Sequence, residues 1–132
     1  MARFLSQSTR MNAEKPWDLR ERTFQFACDI VMFCRDLSKD PTCRHIAQQL
    51  LDAGTSVGAN SHEAKSAYSR REFAAKNSIA LKEAREATFW LRLIMACNLS
   101  ANAEVPRLLK EAGELTGILT ATVRSARRTS LS

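Results

Sequence analysis

The sequence contains few of the residues that interrupt helices, with only four glycines and three prolines in 132 residues. Apolar residues make up 45% of the chain and charged residues 26%, proportions typical of an ordered globular domain. No segment shows the alternating apolar and polar pattern of a β-strand. At this length a single domain buries roughly two thirds of the surface of its unfolded chain. We therefore expect one all-α domain with a single core.

Long apolar runs are also missing. None approaches the ~20 residues that cross a bilayer, and Met1 to Lys15 lacks the apolar centre of a signal peptide. This predicts a cytoplasmic protein without membrane contact.

The four cysteines show no CxxC spacing, and Cys28 and Cys34 fall on different faces of a helix. We expect buried, free thiols in a reducing compartment and no zinc site.

Catalytic motifs are absent from the sequence as well. A di-metal carboxylate site in a helical bundle needs Glu-x-x-His on facing helices, but Thr42 and Ala59 stand three residues before His45 and His62. The sequence has no glycine-rich phosphate loop, no H-E-x-x-H and no G-x-S-x-G. We therefore predict no catalytic residue, no metal, no cofactor and no small-molecule substrate, and hence a protein that is not an enzyme.

The spacing of apolar residues predicts four helices joined by short turns, at about Leu19–Leu37, Cys43–Ala67 and Ser69–Met95 and from Pro106 onward. Such a series folds as an antiparallel up-down-up-down four-helix bundle. We assign residues 17–128 to the bundle, residues 1–16 to a flexible N-terminal lead-in and residues 129–132 to a C-terminal tail.

Three helix starts carry capping signals. Asp18 with Glu21, and Ser69 with Glu72, have the spacing of a capping box, in which each side chain satisfies a free backbone N–H of the first turn. Thr42 is the predicted cap of the second helix.

Gly54 and Gly58 lie inside the predicted second helix, where each costs ~1 kcal/mol relative to alanine. They share a face, which predicts close approach of a neighbouring helix. A kink near Gly58 is the alternative. We favour a continuous helix because Ile46, Leu50 and Val57 stay in phase across the glycines.

The third helix is apolar on two sides. Phe89 and Leu93 point almost directly away from Leu91 at about 100° per residue. A single bundle cannot cover both sides, which predicts self-association. The expected core stripe comprises Phe73, Asn77, Ala80, Ala84, Ala87, Leu91 and Ile94. The predicted oligomer interface comprises Ile79, Glu83, Glu86, Phe89, Trp90 and Leu93.

Glu83 and Glu86 lie on the interface side and repel each other unless a cation intervenes. One interpretation places both carboxylates in solvent. The other pairs them across a subunit contact with a cation of the next copy. The cations considered for this pairing are Arg20, Arg22 and Lys76. Trp90 likewise fits either a core residue or an interface anchor.

The net charge of +6 is concentrated near the ends of the chain. Residues 18–123 carry 14 basic and 13 acidic side chains and are almost neutral. Solubility is a sufficient explanation for basic ends, and binding of phosphate groups is the alternative. The candidate nucleic-acid-binding residues are Lys65, Arg70, Arg71, Arg124, Arg127 and Arg128.

Four segments along the chain carry recognisable motifs. In order, they are DLRERTFQFACDIV at 18–31, SVGAN at 56–60, the turn at 69–73 and KEAREATFWLRL at 82–93. Together they resemble the 23S rRNA intervening-sequence protein family, also called four-helix bundle proteins. The resemblance implies a small cytosolic bacterial protein without enzymatic activity that assembles as a ring-like homopentamer. Related accessory proteins of diversity-generating retroelements are similar, and their ring binds a reverse transcriptase and nucleic acid.

Two functions remain open at this point. The first is a non-enzymatic homo-oligomeric scaffold that self-associates through helix three. The alternative is a nucleic-acid-binding accessory protein that acts on RNA or DNA with an RNA-processing or reverse-transcription partner.

Overall fold

The computed structural model describes residues 18–131, with side chains through residue 128. The predicted lead-in at residues 1–16 lies outside the described residues, as does Ser132. The described chain forms four α-helices and one short 3-10 turn, and no strand occurs between residues 18 and 131. The helices are α1, Leu19–Leu37; α2, Arg44–Ala64; α3, Arg70–Ala96; and α4, Glu104–Leu131. The four-helix, all-α prediction is therefore confirmed.

Helices that follow one another in the chain also pack against one another, α1 on α2, α2 on α3 and α3 on α4. Because each connection is only a few residues long, consecutive helices run in opposite directions. α1 and α4 approach each other less closely than these pairs do. One end of the bundle thus carries the start of α1, the end of α2, the start of α3 and the end of α4.

The predicted bounds of α1 are confirmed, but two of the predicted caps are wrong. The side chain of Asp18 accepts no hydrogen bond from the first turn of α1. Before α2, Asp40 rather than Thr42 acts as the cap: its carboxylate accepts from the Thr42 amide at 3.0 Å and opens the 3-10 turn Pro41–Cys43. The proline fixes that turn, so the α-helix begins one residue later than predicted, at Arg44.

The ends of α3 are built by local hydrogen bonds. Ser69 Oγ accepts from the Glu72 amide at 3.0 Å, as predicted, and the Glu72 carboxylate accepts from the Tyr68 amide at 3.1 Å. At the other end Asn98 has φ 51°, which bends the chain back over the last turn. The Leu99 amide then donates to the Ile94 carbonyl at 3.0 Å, and the chain turns into α4.

The core contains mostly small and medium side chains. Six of the seven residues of the predicted α3 stripe are buried, whereas Phe73 is only half-buried. Five of the six, three alanines with Leu91 and Ile94, are inaccessible to solvent. Ala74 takes the buried place beside Phe73, so the stripe is displaced by one residue in the first turn. α4 continues past Arg128, where the bundle was predicted to end, to Leu131.

The glycines of α2 allow α1 to approach closely, and α2 continues through them without a break. A Cβ at Gly54 would lie 2.7 Å from Cγ2 of Ile30, and a Cβ at Gly58 would lie 3.1 Å from the carbonyl oxygen of Thr23. The prediction of a continuous helix with close approach at both glycines is confirmed.

Charged side chains bridge the wider gap between α1 and α4. Arg22 donates to both carboxylate oxygens of Glu111, at 2.9 and 2.7 Å, and also lies 3.4 Å from Glu114. Arg107 on α4 pairs with Asp29 on α1 at 3.2 Å. The fourth side of the bundle is therefore closed partly by ion pairs between long side chains.

Candidate functional site

The outer side of α3 remains uncovered in the single chain. We refer to Ile79, Glu83, Glu86, Phe89, Trp90 and Leu93 as the α3 face. Phe89 is 54% exposed and Ile79 is 43% exposed, while Trp90 and Leu93 are half-buried. Side chains of this size are seldom grouped on a surface that remains in water. The apolar back of α3, inferred from helical geometry, is present in the structure.

Trp90 occupies the centre of the aromatic part of the α3 face. Its ring meets that of Phe89 edge-on at 5.0 Å and that of His45 on α2 edge-on at 6.5 Å. The Trp90 Nε1–H is buried and has no hydrogen-bond partner in the described part of the chain. A buried indole donor of this kind ordinarily finds an acceptor.

No ion pair among residues 18–128 includes either of the two carboxylates of the α3 face, Glu83 and Glu86. Burial, a hydrogen bond with Glu86 and repulsion from that carboxylate raise the pKa of Glu83, and Asp52 on α2 raises it further. Lys82 on α3 acts in the opposite direction but does not reverse the shift. Since the charged form of Glu83 is disfavoured here, a cation brought to this face would be attracted.

Two of the cations considered for the α3 face already have partners in the same chain. Arg22 binds Glu111, and Lys76 lies 2.6 Å from Glu63 on α2 rather than pairing along α3. The interpretation that either one meets the α3 face of another copy is therefore weakened. Arg20 is exposed, and no ion pair among the described residues includes it.

The antiparallel topology collects the predicted nucleic-acid-binding residues at one end of the bundle. Arg127 Nη2 donates to Ser78 Oγ at 3.0 Å, so the last turns of α4 lie beside the first turns of α3. All six side chains are exposed. We refer to Lys65, Arg70, Arg71, Arg124, Arg127 and Arg128 as the basic end.

Two exposed features were missed when the site residues were chosen from the sequence. Tyr68 is 97% exposed in the turn between α2 and α3, at the basic end. On α1, Phe24 is 58% exposed and Val31 is 41% exposed. The wide apolar arc of α1 was a signal for the second feature, because it exceeds what one neighbouring helix covers.

The cysteines differ in accessibility. Cys34 and Cys43 are buried, Cys28 is half-buried and Cys97 is exposed, and all four are free thiols. The prediction of buried thiols is therefore wrong for Cys97, which lies at the C-terminal end of α3 where the core stops.

Among the described residues, no three His, Cys, Asp or Glu side chains are grouped so as to hold a metal ion. None of the helices in residues 18–131 is long and apolar enough to span a bilayer.

These features can be compared with those of known proteins. The family model for 23S rRNA-intervening sequence proteins matches residues 16–121, which include α1 to α3 and most of α4. The chain belongs to the 23S rRNA-intervening sequence protein family. The resemblance inferred from the sequence motifs is thereby confirmed. Among curated proteins, none matches the chain significantly.

A solved structure agrees with the fold of this family member. It is the crystal structure of a protein of unknown function from the S23 ribosomal protein family of Bacteroides thetaiotaomicron. The two chains are 30% identical and superpose with a TM-score of 0.74, and the match covers 80% of this chain and 97% of the other. The function of this intervening-sequence protein must therefore be argued from its own surfaces.

Proposed function

We propose that this intervening-sequence protein is a non-enzymatic scaffold that self-associates through the α3 face. The observation that carries the proposal is the exposure of Phe89 beside a half-buried Trp90. Aromatic side chains in such a cluster are frequent anchors of protein interfaces. Burying the four apolar residues of the α3 face against another copy would remove this surface from water.

We further propose that the assembly is a ring of five copies in the cytoplasm, as the family resemblance implies. Heterologous contacts repeated around a rotation axis close into a ring. The four free thiols suit a reducing compartment.

The solution mass of the intact protein tests self-association directly. Light scattering should give a multiple of the 14.8 kDa subunit mass, five for the proposed ring. Phe89→Glu should dissociate the assembly and leave the helical circular dichroism signal unchanged, because Phe89 faces away from the core. Ala121→Glu is the matched control, since Ala121 is exposed on the outer side of α4. A wild-type protein that stays monomeric at high concentration would refute the proposal.

A second candidate function is binding of single-stranded nucleic acid at the basic end, together with an RNA-processing or reverse-transcription partner. The convergence of six exposed cations from α3, α4 and the turn after α2 supports it, because phosphate contacts dominate such affinities. The exposed ring of Tyr68 at the same end offers a surface on which a base can stack. Assembly in a ring would multiply these charges by the number of subunits.

Fluorescence anisotropy with a short single-stranded RNA tests this second function. Affinity should fall steeply with salt, and replacing Arg124, Arg127 and Arg128 together by alanine should reduce the slope of log K against log salt by about 2. The matched control removes three exposed cations at the opposite end of the bundle. These control residues are Arg44, Arg92 and Lys110. An equal effect of both triple variants, or no binding at low salt, would contradict binding at the basic end.

A further inference from the structure

The surface that covers the α3 face must combine two properties. It must present apolar side chains to Phe89, Trp90 and Leu93. A cation on it would pair with Glu83 and Glu86, which lie one helical turn apart and belong to no ion pair among the described residues. A second copy of the same chain could supply a surface with both properties.

One face of α1 has both properties. Its exposed and half-buried residues recur at intervals of four, three, four and four, which places them within an arc of roughly 80°. We refer to Arg20, Phe24, Ala27, Val31 and Arg35 as the α1 stripe. Phe24 and Val31 are 58% and 41% exposed, and no ion pair of the described residues includes Arg20 or Arg35. The α1 stripe is thus apolar in its middle and positively charged at both ends.

The α1 stripe and the α3 face lie on opposite flanks of α2. On one flank, Phe24 and Ala27 line a groove with Thr55 and Gly58 of α2. On the other flank, Trp90 contacts His45 of α2. Because α2 stands between them, the two surfaces cannot meet within one chain. They can meet between two chains.

We propose that the α1 stripe of one copy docks against the α3 face of the next copy, with Arg20 between Glu83 and Glu86. This inference rests on the proposed self-association and names the surface that completes it. The contact is heterologous, because each copy uses one surface to bind the copy before it and the other to bind the copy after it. The occupant of the α3 face is therefore a second copy of this chain.

The spacing along the two helices decides which arginine is used. Phe24 and Ala27 follow Arg20 by four and seven residues, as Trp90 and Leu93 follow Glu86. When the helices run in parallel, Arg20 faces Glu86 while Phe24 faces Trp90. Arg35 opposite Glu86 loses this match, because it would place Phe24 beside Ala75 in a parallel arrangement. In an antiparallel arrangement it would place Phe24 beside Cys97, past the end of α3.

The direction of the helices supports the parallel arrangement independently. α1 and α3 run in the same direction within each bundle, because one antiparallel helix lies between them. Parallel docking therefore leaves the next copy pointing the same way as the first. Repetition of that step is compatible with cyclic symmetry about an axis along the bundles, whereas antiparallel docking would invert each successive copy.

Charge reversal with rescue tests the pairing in the full-length protein. Arg20→Glu and Glu86→Arg should each weaken association by at least about tenfold, measured as the concentration at which light scattering shows half-dissociation. The double variant, which restores opposite charges, should recover most of the wild-type association. Lys110→Glu, at an exposed position on α4 outside both surfaces, is the charge-matched control and should leave the mass unchanged. Circular dichroism on every variant checks that the helices are intact.

Three outcomes would overturn the inference. If Phe89→Glu dissociates the protein but Arg20→Glu does not, the α3 face is an interface and the α1 stripe is not its partner, so only the proposed function survives. If Arg35→Glu rather than Arg20→Glu dissociates it, the alignment that places Arg20 beside Glu86 and Phe24 beside Trp90 is wrong. If deleting residues 1–16 dissociates it while Arg20→Glu does not, the N-terminal segment is the occupant.

Discussion

The side chain of Ile30 on α1 fills the space that a side chain at Gly54 on α2 would need. A Cβ at that position would lie 2.7 Å from Cγ2 and 2.9 Å from Cγ1 of Ile30. Ile30 is inaccessible to solvent and belongs to the core, so it cannot turn outward. The distance between α1 and α2 is therefore set by the absence of a side chain at residue 54.

Gly54→Ala should consequently destabilise the fold by ~1 to 3 kcal/mol, even though alanine favours helices. Gly113→Ala is the matched control, because a Cβ at Gly113 on α4 would have no neighbouring atom within 4 Å. That control should stabilise the protein by up to ~1 kcal/mol. Urea unfolding at one fixed protein concentration measures both. A Gly54→Ala variant as stable as the Gly113→Ala variant would contradict close packing at Ile30.

The ion pair between Arg22 and Glu111 should contribute more than a surface pair. Its geometry is bidentate, and the two side chains retain only 18% and 15% of their accessible surface. Arg22→Ala should cost ~1 to 3 kcal/mol, partly because Glu111 is left without a partner between α1 and α4. Lys39→Ala, which breaks an exposed pair with Asp36, should change stability by less than ~1 kcal/mol. A double-mutant cycle on Arg22 and Glu111 isolates the coupling energy; a coupling near zero would refute this assignment.

Thiol reactivity should follow burial. Burial raises the pKa of Cys34 to about 12, whereas Cys97 is exposed at the end of α3. Since the thiolate is the reactive form, iodoacetamide at pH 8 should modify Cys97 first and Cys34 only after unfolding. Mass spectrometry of peptides from the native protein measures the order. The Cys97→Ser variant should lack the fast phase, and rapid modification of Cys34 in the native protein would contradict its burial.

The carboxyl of Glu83 should make the single subunit less stable as the pH rises. Its folded-state pKa is raised, so its contribution to stability is fully present below the unfolded pKa and is lost as the pH rises through the folded pKa. Glu83→Gln should therefore match the wild type in acid and exceed it in stability at neutral pH. Tryptophan fluorescence during urea unfolding, at concentrations low enough for single subunits, measures this. Glu21→Gln, at an exposed position on α1, serves as the control. If the difference in unfolding free energy between Glu83→Gln and the wild type stayed constant across the pH range, the raised pKa of Glu83 would be contradicted.

The helices themselves could be predicted because their signals are local. The apolar spacing of α1 gave its bounds, and Ser69 followed by Glu72 predicted the start of α3. The prediction for α2 failed at its start for an equally local reason, since Asp40 stands before Pro41 and caps a 3-10 turn. That signal was present in the sequence and was attributed to Thr42 instead.

The pairings between helices could not be predicted in the same way. Arg22 and Glu111 are 89 residues apart, and their contact depends on how far α1 and α4 are rotated about their axes. Lys76 was considered as a partner of Glu83 and Glu86 in another copy, but it reaches Glu63 across the gap to α2. A rotation of one residue about the helix axis also explains why Ala74 is buried more deeply than Phe73.

The α3 face was predicted because helix geometry alone shows two apolar sides. Its proposed partner on α1 was not, because the wide apolar arc of α1 indicates that some of its residues stay exposed but does not show which ones until the rotation of α1 is known. Only the structure shows that Phe26 and Ile30 take the buried places beside Phe24 and Val31.

The packing of consecutive helices bears on the life of the newly made chain. Contacts between segments close in sequence form quickly, in microseconds to milliseconds, whereas encounters between subunits are slower and depend on abundance. Each polypeptide should thus complete its own interior while it is still alone. Phe24 and Phe89 are exposed in the single chain. If the proposed self-association covers them, a subunit that has not yet found a second copy would present these two rings to chaperones and proteases.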